Sequence, residues 1–211
     1  MKLIASLVFA LFIATAQAGA ATILVFGQST GLNLFTGNET AGTTVLDANS
    51  IPVTITTLNE VGVSVPAFFS LDATSTAPAT NVFGNAWVQP YSGSFSVLSL
   101  LGFNYLSGVF TGIQLGIAGG QSFTFGSAQP PLSLTFTSDV PGMPLLPPTA
   151  FSLSLTNVLP SVQISNGSFA DFTSNVSGTA SAEVPEPASL ILLASGLLGL
   201  VYARRQMRLT E

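Results

Sequence analysis

The chain of 211 residues has no cysteine and no histidine, and it sets 4 lysines and arginines against 9 acids. The four basic residues are Lys2, Arg204, Arg205 and Arg208, so nothing between Leu3 and Ala203 carries a positive side chain. Each absence excludes something. Without cysteine, no disulfide can brace the fold, and stability must come from burial. Without His, Cys or Lys in the long middle, the usual triads, thiol dyads and Schiff-base nucleophiles cannot be built. Transition-metal sites lose their common ligands. Nucleic acid is excluded as a partner, because nothing here can neutralise phosphates. The middle acids Glu39, Asp47, Glu60, Asp72, Asp139, Asp171 and Glu183 have no cation to pair with. Solubility therefore falls to Ser, Thr, Asn and Gln.

What is present is alternation. Phe151 to Thr156 and Leu132 to Thr137 step apolar/polar with period two, as do Ser94 to Val97, Gln121 to Phe125 and Pro52 to Thr57. That pattern marks strands with one buried and one wet face. Ala21 to Phe26, Gly31 to Phe35, Ala67 to Leu71, Val109 to Ile117 and Val162 to Ser165 read as further strands, and Ser168 to Ala182 adds one more. Gly119-Gly120 and Asn166-Gly167 are hairpin turns, where positive φ is wanted. The proline-rich run Pro141 to Pro148 lacks ladder donors and reads as a surface connection.

Val97 to Ala118 is uncharged and long enough to span a bilayer. In a chain with almost no charge this discriminates nothing, so two strands with glycine bends are the expectation. A closed outer-membrane barrel also alternates, but its interior is polar and usually charged, which this chain cannot supply. The fold class expected is all-β, a β-sandwich or jelly-roll-like domain.

No catalytic residue, metal ligand or cofactor is expected. Two of the acids would suffice for a glycosidase pair, but no spacing singles out which. Asp47-Ala48-Asn49 resembles a calcium-loop fragment without the glycine and final acid that an EF-hand needs, and reads as an Asx turn. Trp87 and Tyr91, with Asn85 and Gln89 close by in sequence, form either a sugar-stacking platform or core and strand pairs.

The termini are of another kind. Residues 1–18 follow the plan of a signal peptide: Lys2, an apolar run from Leu3 to Ala14, then small residues in A-x-A spacing. Ala16 and Ala18 frame a cut after Ala18, and a cut after Ala20 also fits. At the other end, Val184-Pro185-Glu186-Pro187 is a stiff extended element, because each proline biases its predecessor away from the helix. Pro187 also suits the first turn of a following helix. Ala188 to Ala203, through Leu190, Gly196 and Leu200, is then uncharged and about 24 Å long as a helix. Arg204, Arg205 and Arg208 would hold its end in the cytoplasm.

This ordered combination resembles the PEP-CTERM sorting signal. The resemblance implies a route through the envelope of a Gram-negative bacterium. Signal peptidase removes residues 1–18, the tail 183–211 tethers the precursor transiently in the inner membrane, and an exosortase-type membrane transpeptidase recognises Pro185, Glu186 and Pro187. The cysteine chemistry belongs to that partner. Such proteins are associated with exopolysaccharide and biofilm, which places residues 19–182 at the cell surface or outside the cell. The expected role is a non-enzymatic surface or matrix protein. A carbohydrate- or calcium-binding matrix module is the alternative, and a secreted glycoside hydrolase stands third.

Overall fold

The computed structural model describes residues 20–183. The signal segment with Ala16 and Ala18, the motif Val184 to Pro187, the apolar stretch Ala188 to Ala203 and the three arginines all lie outside the described residues. Within them the chain is all-β. Thirteen strands run in chain order: β1 Ala20–Gln28, β2 Phe35–Thr40, β3 Thr43–Leu58, β4 Val61–Ser75, β5 Thr80–Phe83, β6 Ala86–Leu98, β7 Asn104–Ile117, β8 Ser122–Gln129, β9 Leu134–Thr137, β10 Thr149–Leu159, β11 Ile164–Ser165, β12 Ser168–Phe169 and β13 Phe172–Glu183.

Eight of these close a ring. β1, β3, β4, β6, β7, β8, β10 and β13 each pair antiparallel with the next, and β13 pairs back onto β1. The ring follows chain order, without the crossing connections of a jelly roll, so that part of the expectation is not met. Closure leaves the long strands no free edge. Opposite walls still pack as the two layers of a sandwich. Phe95 on β6 stacks on Phe151 of β10, three strands away round the ring, with ring centroids 3.9 Å apart. The interior is one apolar core rich in phenylalanine, the inverse of a porin's polar lumen.

The alternation sorts residues as chemistry requires. On β10, Phe151, Leu153 and Leu155 are buried, while Ser152, Ser154 and Thr156 face out. Several local expectations need correction. Residues 31–34 form a bend, and the strand expected at Gly31 to Phe35 begins only at Phe35. The Gln28 amide donates to the Thr30 and Leu32 carbonyls, holding that bend. Only Ile164–Ser165 of Val162 to Ser165 is strand. Val162 instead exchanges backbone hydrogen bonds with the Gly119–Gly120 turn and is buried there. Ser168 to Ala182 breaks at Ala170–Asp171 into β12 and β13.

In Val97 to Ala118, the chain turns at Ser99–Phe103, where Gly102 has φ 84°. Gly108, Gly112 and Gly116 are not bends. They lie inside the single strand β7 and face inward, where Cβ atoms would fall on the rings of Phe95, Phe125 and Phe123.

Because the ring goes up and down, its strand ends alternate between two poles. Ala20 and Glu183 leave from one pole. The β6 start at Ala86 and the β7 end at Ile117 lie at the other.

Candidate functional site

The outer face of β3, β4, β6, β7 and β9 carries a grid of short polar side chains. Backbone register defines its rows. Asp47, Asp72, Ser94, Val109 and Thr135 are successive cross-strand partners, as are Ser70, Ser96, Ser107 and Thr137 one row along. Thr74, Ser92 and Thr111 form a third row. Strand neighbours sit about 4.8 Å apart and successive outward residues roughly 6.7 Å apart, so hydroxyls recur on a regular lattice. The first two rows line a groove of about 510 Å³. A second depression of about 500 Å³ continues it over Asp72, Ser92, Val109 and Ser133.

Two features break the uniformity. Val109 is 63% exposed, an apolar surface among hydroxyls. Asp47 and Asp72 are directly opposite one another, an arrangement that is destabilising for like charges. The fold thus brings together two acids that no sequence spacing had singled out. Both stand on an open, solvated face, without the apolar enclosure that a glycosidase's proton donor needs. No cluster of three His, Cys, Asp or Glu able to hold a metal ion occurs among the described residues.

The other expected sites come out differently. Asp47-Ala48-Asn49 is neither a calcium loop nor an Asx turn: it lies within β3, with Ala48 buried and its neighbours exposed. The bulge follows at Ser50, whose φ is 51°. Trp87 and Tyr91 take the core reading rather than that of a stacking platform: Tyr91 is 1% exposed, inside the core, and Trp87 is half-buried against that core.

Gln89 is also buried and organises a polar cluster. Its Oε1 accepts from the Tyr91 hydroxyl and the Phe169 N–H, both at 3.1 Å, while its Nε2 donates to Ser168 Oγ at 2.8 Å. Burial pushes the Tyr91 phenol well above its ordinary pKa, with the Thr44 hydroxyl offsetting part of the rise. A buried amide with its partners supplied inside the protein is a structural device that joins β6 to β12.

The groove was half legible beforehand. The alternation of Ser94 to Val97 and Leu132 to Thr137 already put those hydroxyls outward. What no periodicity reveals is which strands lie side by side.

Beyond the last strand the chain matches a known pattern. Residues 183–206 match the model of the PEP-CTERM protein-sorting motif. No curated protein and no solved structure matches the chain. The motif implies an exported protein that is processed by an exosortase, itself a membrane protein. It overlaps the described body only at Glu183, the last residue of β13.

Proposed function

We propose that this is a non-enzymatic component of the bacterial cell surface or extracellular matrix, linked to exopolysaccharide. It is carried there by its tail and parted from it by an exosortase-type transpeptidase that grips Pro185, Glu186 and Pro187. The observation that carries the reading is the sorting motif, joined without a linker to a strand of the closed ring. The body supports a matrix role in two ways. Its outer face is hydroxyl-rich and free of basic side chains, and its catalytic inventory is reduced to carboxylates.

A mass spectrum of the exported protein tests the route. The expected product ends near the motif and lacks the arginines. Replacing Pro185 to Pro187 with alanines should leave the apolar segment attached. An identical C-terminus in both would remove the sorting step.

The hydroxyl groove favours a second, compatible reading, a module that binds matrix polysaccharide. Ser and Thr hydroxyls would exchange hydrogen bonds with sugar hydroxyls, and Val109 offers an apolar spot for a ring's C–H face.

A further inference from the structure

The pole from which Ala20 and Glu183 leave carries exposed apolar side chains on its turns. Leu100 and Leu101, 81% and 95% exposed, occupy the β6–β7 turn, with Phe103 beside them. Val61 opens β4 after the β3–β4 turn. Leu146 stands next to the exit itself, its carbonyl accepting from the Glu183 N–H.

The β6–β7 turn is built for an apolar surrounding. Its Ser99 N–H donates to the Phe103 carbonyl at 2.9 Å, and the Gly102 N–H to the Ser99 carbonyl at 3.0 Å. Ser99 Oγ accepts from the N–H groups of Leu101 and Phe103, at 3.2 Å and 3.0 Å. These four donors are thereby paired inside the turn, and Ser99 to Phe103 carries no charge. Backbone enters lipid only with its polar groups satisfied, and the side chains left outside here are leucine and phenylalanine. The opposite pole lacks this property. Its apolar rim of Val82, Phe83 and Ile117 borders β5, whose outer backbone edge is unpaired among the described residues.

We infer that the β6–β7 turn dips Leu100 and Leu101 into the surface of the bilayer that holds the tail, an inference that rests on the tail acting as a membrane tether. Chain length selects this occupant. Only Val184 to Pro187 separate Glu183 from the apolar stretch that begins at Ala188, a reach of at most about 18 Å when fully extended. The headgroup layer takes up about 5–8 Å of that. The exit pole of a tethered body therefore stays at the bilayer surface, and the turn belongs to that pole. The attachment is apolar, without the basic residues that usually assist an interfacial anchor. Glu60, Asp139 and Glu183, the acids at this pole, give it a preference for uncharged over anionic lipid. A second contact beside the tether fixes the body's orientation and keeps the motif within reach of a membrane transpeptidase.

Trp87, the one tryptophan of the chain, lies at the opposite pole and serves as an internal control. The test reconstitutes the full chain into phosphatidylcholine vesicles with and without bromine on the acyl chains, which quenches indole emission on contact. Native emission should be the same in both. Leu101→Trp, at an almost fully exposed position, should add emission that brominated lipid largely removes. Adding Leu100→Asp to that variant should restore the emission, and exchanging part of the lipid for phosphatidylglycerol should restore some of it. Added emission that is indifferent to bromine would overturn the inference, as would equal quenching of Trp87 in the native chain. A chain that does not float with the vesicles at all would overturn the tail reading itself, and the inference with it.

Discussion

Tyr91 read in sequence either as half of a ligand platform or as a core aromatic, and the fold makes it a pH-sensitive core residue. Its phenol must stay neutral where it lies, because burial penalises the phenolate. The folded-state pKa is raised above the ordinary value of 10.0, so the linked stability is fully present below that pH and is lost as pH rises beyond it. Urea midpoints measured from about pH 8 to about pH 11 should fall steeply over the upper part of that range. Tyr91→Phe should flatten the fall, at a cost of about 1 kcal/mol at neutral pH for the lost bond to Gln89. A midpoint that falls as steeply in the variant would place the alkaline weak point elsewhere. Turn residues show how far local chemistry can be read. Asn166-Gly167, with φ of 48° and 77°, is the hairpin its sequence announced. Asn59-Glu60 adopts a similar pair of positive angles between β3 and β4, and glutamate at the second position hides it.

At the scale of elements, β7 inverts the ordinary reading of a strand. Val109, Ile113, Leu115 and Ile117 face outward, and Gly108, Gly112 and Gly116 face the core beside Leu106 and Phe110. The core does not lose volume by this, because Phe95, Phe123 and Phe125 from the neighbouring strands lie across the glycines. Gly112→Ala should therefore destabilise by about 1–3 kcal/mol, since the added methyl falls on the Phe125 ring and near the Gly126 carbonyl. The melting temperature should drop roughly 2–4 °C per kcal/mol. Combining it with Phe125→Leu should recover part of the loss, a coupling that independent sites would not show. A fully additive pair would mean that the ring is not what the methyl meets. A run of alternating glycine and aliphatic residues cannot declare its buried side, because the deciding atoms belong to other strands.

The described body sorts its surface by zone: a hydroxyl lattice with one carboxylate pair on its wall, an apolar rim at one pole, and its ends at Ala20 and Glu183 at the other. The lattice exists only once the ring has closed, since its rows draw on five strands spread over residues 47 to 137. Polysaccharide binding should accordingly be saturable on a glycan array with the folded body and disappear on unfolding. Val109→Asp should abolish it, since a charge would replace the apolar spot at the centre of the groove. Binding that survives this change would move the ligand surface off the grid, and no binding to any glycan would end the second reading.

Composition and period alone established an all-β body without thiol, imidazole or amine chemistry, and a tail whose order of proline, acid, apolar stretch and arginines announced its route. Those properties are local, set by residue type and by neighbours along the chain. Ring closure, the pairing of Asp47 with Asp72, the burial of Tyr91 and the outward turn of Ile113 to Ile117 were decided in space. Each depends on which strands become neighbours, and the free energy that selects them is the burial of a phenylalanine core contributed by nearly every strand of the ring.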